Sequence, residues 1–162
     1  AGGGDVKAAL LGGATFGGVG YKVHLDGYNL IPYFKGEVAE SPRKEFMYWT
    51  DDGGLAALRY DRWKILFMEQ RAEGFDVWEE PLVTLRLPKI FDIRADTFER
   101  AHEEGMGYKK WRFEHTFLMG PAQAFAGKWL QSFRDFPPRQ KPGSFNLDRV
   151  MEAVMTGSLG NQ

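Results

Sequence analysis

The sequence predicts an α+β fold, an antiparallel sheet of about four strands packed against C-terminal helices. Three observations predict it. Short apolar and aromatic runs, EFMYWT (45–50), LAALRY (55–60) and WKILFMEQ (63–70), follow one another across turn-rich spacers. From Gly107 the apolar period lengthens, with Trp111, His115 and Leu118 at i, i+4 and i+7. Strands come first and helices after them, an order that lays helices on one face of a sheet.

In chain order, residues 5–11 (DVKAALL) form a short helix capped by Asp5 and ended by Gly12-Gly13. The stretch GGATFGGVGYK (12–22) has the glycine density of a phosphate cradle but neither of its spacings. Tyr21 separates Lys22 from the last glycine, so G-x-x-x-x-G-K-[ST] fails. Gly18-Val19-Gly20 is followed by Tyr21, Lys22 and Val23, so G-x-G-x-x-G fails too. The stretch therefore reads as a flexible connector, and residues 1–22 as a glycine-rich N-terminal arm or linker ahead of a domain spanning 23–162. LDGYNLIPYFKG (25–36) predicts a turn at Asp26-Gly27. One or two helical turns follow, packing Leu30, Ile31 and Phe34 and stopping at Gly36. Ser41-Pro42-Arg43 is a loop.

The spacers Asp51-Asp52-Gly53-Gly54 and Asp61-Arg62 are tight turns, which makes the three runs an antiparallel meander. Segments 82–87 and 90–93 supply one or two further strands, and Pro81 and Pro88 suit an edge position. Two helices are expected at 106–119 and 121–135. The stripe continues through Phe125, Trp129, Phe133 and Phe136, with Ala122 and Ala126 as small partners. Pro121 marks either a kink or a fresh helix start. Pro137-Pro138 stops the second helix, and Asn146 caps a last short one at 147–155.

At 162 residues the chain is long enough to bury a core, and 43% hydrophobic with 27% charged residues is an ordinary globular balance. Aromatics make up 15% of the chain and are spread through it rather than gathered in one patch. With 21 basic and 22 acidic residues, neither a nucleic-acid partner nor a membrane surface is signalled. No apolar run approaches the ~18 residues of a membrane span. The absence of cysteine excludes disulfides, thiolate metal sites and cysteine nucleophiles, and leaves the compartment open.

Asp51-Asp52 at a strand end is the most attractive acidic pair. Two carboxylates there can hold Ca²⁺ or Mg²⁺ if other oxygens converge, and equally well furnish a polar turn. His24, His102 and His115 show no H-x-x-x-H or H-E-x-x-H spacing. His115 falls on the apolar stripe as a core histidine, and His24 precedes a turn. Ser41, Ser132, Ser144 and Ser158 lack a G-x-S-x-G elbow. Glu79-Glu80 reads as a solvated loop. Of the side chains able to line a pocket, Trp49, Arg59, Trp63 and Arg71 are the candidates for small-ligand binding.

Three stretches, 23–70, 85–101 and 117–141, together resemble the C-terminal part of bacterial arylsulfatases, members of the alkaline-phosphatase-like superfamily. D-G-x-x-L-x-P-x-x-x-G at 26–36 matches the family's element after its catalytic domain. SPRKEF and YDRWK match the start of its small C-terminal subdomain. IFDIRADTFERA is similar to its L-x-N-L-x-x-D-P-x-E motif, with Thr97 in place of the usual proline. The family hydrolyses sulfate esters with a formylglycine, made from Cys or Ser in C/S-x-P-x-R, and a Ca²⁺ held by Asp-Asp and Asp-Asn pairs. Here the only P-x-R match is Pro137-Pro138-Arg139, with Asp135 where the nucleophile belongs. By the same alignment Asp51-Asp52 is not the metal pair, so no catalytic residue and no cofactor carries over. The resemblance thus implies a non-catalytic module, with GGATFGGVGYK as a loop whose original neighbours are missing. It also implies a face to be covered by self-association or by a separate sulfatase catalytic chain. The alternative is an independent small-molecule-binding or oligomeric scaffold domain, and an enzyme built on Asp51, Asp52 and His24 is the third reading.

Overall fold

Strands β3 (Glu45–Trp49), β4 (Leu55–Tyr60), β5 (Trp63–Glu69) and β6 (Val83–Asp92) form one antiparallel sheet in that order. This is seen in the computed structural model, which describes residues 5–139, 142–144, 147, 151 and 155. The period of two in each strand sorts the side chains into faces. Met47, Leu58, Ile65 and Ile90 stand opposite one another in a row across the sheet, and Phe46, Arg59, Lys64 and Phe91 form the neighbouring row on the other face. The first row meets helix α5 (Met119–Leu130). Leu58 and Ile65 bury against Ala122, and Met47, Phe67, Leu118, Met119 and Phe125 close around them. Helices on one face of an antiparallel meander are the expected α+β architecture.

Segments 82–87 and 90–93 are parts of a single ten-residue strand, β6, at the sheet edge. Pro88 is accommodated because the β5–β6 register shifts between Leu66 and Met68, where no ladder hydrogen bond is asked of it. The outer side of this edge is capped. Ile90, fully buried, donates its N–H to Tyr108 Oη at 3.2 Å, and Tyr108 Oη donates back to the Ile90 carbonyl at 3.0 Å. At Ile90, therefore, the edge has no free main-chain group to offer another strand. Beyond β6, the Asp92 carboxylate is buried. It accepts the Arg94 N–H and pairs with Arg62, whose guanidinium lies over the Trp63 ring. Asp96 then accepts the N–H groups of Arg100 and Ala101, starting helix α3 (Ala101–Glu104).

The expected helix at 106–119 is shorter than its stripe. Helix α4 (Tyr108–Glu114) ends at His115, a 3-10 turn covers Thr116–Leu118, and α5 begins at Met119. Pro121 lies in the first turn of α5, where its missing N–H needs no partner, so a fresh start and not a kink is what it marks. After α5 a 3-10 turn (Gln131–Arg134) runs into Pro137-Pro138. A further 3-10 turn, Gly74–Trp78, joins β5 to β6.

The N-terminal region follows one expectation and departs from two. Helix α1 (Val6–Gly12) is capped as read, with Asp5 Oδ1 accepting the Ala8 N–H at 3.1 Å. The supposed flexible connector instead holds a hairpin of β1 (Ala14–Phe16) and β2 (Val19–Tyr21). Its turn needs two consecutive residues at positive φ, and Gly17 (57°) and Gly18 (80°) supply them. The Val23 N–H then bonds the Leu10 carbonyl, tying the hairpin's exit back to α1. The second departure is at 25–36. No turn forms at Asp26-Gly27, and the four-residue α2 (Ile31–Phe34) leaves Ile31 57% and Phe34 74% exposed rather than packed. The cause is lateral: Tyr28 and the Asp26 carbonyl are held by Glu45 and Arg43, which draws this segment out along the β3 edge. The cap predicted at Asn146 lies outside the described residues. Among the described residues no helix is long and apolar enough to cross a membrane.

Candidate functional site

The four side chains named as pocket residues border different clefts: strand alternation puts Arg59 on the other sheet face, Trp49 and Trp63 stand on different strands, and Arg71 lies beyond the end of β5. Trp49 ends β3 and packs on Trp129 of α5, ring centres 5.2 Å apart. Arg59 belongs to the row on the opposite sheet face, where its Nε donates to the Asp61 carbonyl and it borders a different, more polar cleft. Trp63 lies nearly parallel to Trp111 at 6.3 Å and borders an apolar groove of about 350 Å³ with Tyr60, Pro121 and Phe125. Arg71 is exposed and paired with Glu69 at 2.8 Å.

The weak metal candidates also take structural work. Asp52 accepts the Ser144 N–H at 2.8 Å and its hydroxyl at 2.6 Å, and the Asp51 carbonyl accepts the Gly143 N–H. The β3–β4 turn thereby clasps the segment that follows Pro142. Among the described residues, no group of three or more His, Cys, Asp or Glu is arranged to hold a metal ion. His115 behaves as the stripe implied: its Nδ1 meets the Trp111 carbonyl at 2.7 Å, and its ring stacks on Trp111 at 4.3 Å.

Trp49 does border a cleft of about 360 Å³, and four stretches of chain far apart in sequence build it. Helix α1 brings Lys7. The extended segment after β2 brings His24, Asp26 and Tyr28. The start of β3 and the loop before it bring Arg43, Glu45, Met47 and Trp49, and α5 brings Trp129. His24 and Asp26 are two apart on extended chain, so their side chains emerge on the same side, and His24 Nδ1 lies 2.9 Å from Asp26 Oδ1. The partner fixes the ring and leaves Nε2 as the other face of the imidazole. Tyr28 Oη donates to Glu45 at 2.5 Å, and that bond, with burial behind it, pushes the phenol pKa up. Lys7 Nζ and the Arg43 guanidinium lie 4.9 and 5.6 Å from the centre of the Tyr28 ring. Neither cation has a carboxylate within 4.0 Å among the described residues, and the Arg43 guanidinium donates to the Asp26 carbonyl at 3.1 Å.

The cleft therefore pairs an indole wall with two cations and two carboxylates, Asp26 and Glu45, with no cation–carboxylate contact within 4.0 Å among the described residues. The sequence placed His24 before a turn and Trp129 on the apolar stripe, and gave no sign of Lys7 or Arg43 as site residues. The one local signal was the H-x-D spacing at 24–26; the rest depends on the tertiary approach of α1 and α5 to β3. No protein-family model matches this chain, and no curated protein matches it significantly.

Proposed function

We propose that this chain is a non-catalytic module resembling the C-terminal subdomain of bacterial arylsulfatases, working through a partner that covers exposed apolar side chains. What carries the reading is the amount of that surface left open. Phe34, Phe75, Trp78, Phe98, Phe113 and Phe117 are all exposed, Phe75 at 89% and Trp78 at 84%. The fully buried large side chains are Phe91, Leu58 and Ile90 alone among the described residues. Isolated exposed apolar residues are normal on a monomer, and it is the number of large aromatics left open beside so small a core that supports a covering partner. The covering partner is a second copy or a separately made sulfatase catalytic chain.

Two measurements test this. The purified chain, assayed with an aryl sulfate with and without Ca²⁺, is expected to give no turnover; hydrolysis by this chain alone would end the proposal. Light scattering at rising concentration is expected to give masses above 18.4 kDa. A monodisperse monomer that also fails to bind any arylsulfatase catalytic chain would remove the covered-surface argument.

A further inference from the structure

We infer that the cleft between α1, the 24–28 segment, β3 and α5 is a binding site for a small aromatic carboxylate. This is independent of whether the chain docks on a sulfatase. Three features fix the ligand class. The Trp49–Trp129 pair, 5.2 Å between centres and tilted by 35°, closes on itself, so it offers a wall and not a slot, against which one flat ring can lie. At the Tyr28 end, Lys7 and Arg43 carry two positive charges that no carboxylate of the described chain takes up within 4.0 Å. Asp26 and Glu45 border the same cleft, each already engaged, by His24 and by Tyr28. The charges of Lys7, Arg43, Asp26 and Glu45 sum to zero, so the cleft carries no excess positive charge to hold a dianion such as phosphate, and a ligand's single negative charge is asked of the Lys7 and Arg43 side chains alone. The volume, about 360 Å³, lies in the range of small-ligand sites and suits a one- or two-ring body.

The probe is 2-naphthoate, with 2-naphthalenemethanol as its neutral analogue, acetate as the charge without the ring, and inorganic phosphate as the dianion. In calorimetric titration 2-naphthoate is expected to bind one to one and at least tenfold tighter than each of the three. Lys7→Met is expected to weaken it at least threefold and Lys7→Met with Arg43→Met at least tenfold, while Arg71→Met, outside the cleft, leaves it unchanged. In NMR titration of the unaltered protein, which does not depend on any variant folding, the indole N–H signals of Trp49 and Trp129 should move and that of Trp78 should stay. Absence of saturable binding, equal affinity for the neutral analogue, a double variant within threefold of the parent, or movement of Trp78 in place of the cleft tryptophans would each overturn the assignment.

Discussion

Replacing Tyr108 by phenylalanine removes one oxygen and leaves the ring in place between Phe91 and Trp111, 5.9 and 6.0 Å away. That oxygen serves both main-chain groups of Ile90, a residue with 0% exposure. Burial also pushes the Tyr108 pKa up, so the hydroxyl keeps the proton it donates through the ordinary pH range. Without it, a buried N–H and a buried carbonyl at the sheet edge lose their partner. An unsatisfied buried group costs about 1–3 kcal/mol, so the expected loss is about 2–6 kcal/mol for the pair. For a domain of this size that corresponds to a melting point lower by roughly 4–24 °C. Urea unfolding should move to a lower midpoint at unchanged slope, because the surface exposed on unfolding is the same. Amide exchange at Ile90 should accelerate more than at Ile65 in the sheet interior. A loss under about 0.5 kcal/mol with unchanged exchange at Ile90 would refute the claim that this hydroxyl caps the edge.

Other expectations can be checked with the same material. For Glu69, burial by itself would raise the pKa, but hydrogen bonds from Lys89 and Arg71 outweigh it and hold the pKa below the ordinary 4.5. A depressed folded value means its contribution is present above the unfolded pKa and is lost as pH falls through the folded one, so Glu69→Gln should flatten the decline of stability below about pH 4.5. Leu58→Ala should cost about 2–3 kcal/mol, toward the lower end for such truncations, because Leu58 already borders the open groove by Phe125. Gly18→Val should destabilise by about 1 kcal/mol or more, since φ of 80° at the hairpin turn disfavours a branched side chain. Asp52→Ala should speed tryptic cleavage after Arg139 while costing less than about 1 kcal/mol overall, since its bonds to Ser144 are exposed.

What the sequence by itself determined is most of what near neighbours govern. The meander was legible because a period of two and tight Asp-Gly turns are local, and the start of α5 because a proline without an N–H fits a first turn. The Gly17-Gly18 turn was equally local, yet glycine density without apolar flanks resembles a connector, and only the paired strands distinguish the two. Tertiary structure alone decided which side chains meet. Arg59 and Trp49 lie on opposite faces through strand alternation, and Lys7, His24, Arg43 and Trp129 share one cleft through the packing of α1 and α5 on β3. Contacts between residues so far apart leave no periodic trace in the chain, because each is set by how whole elements dock and not by the residues beside it.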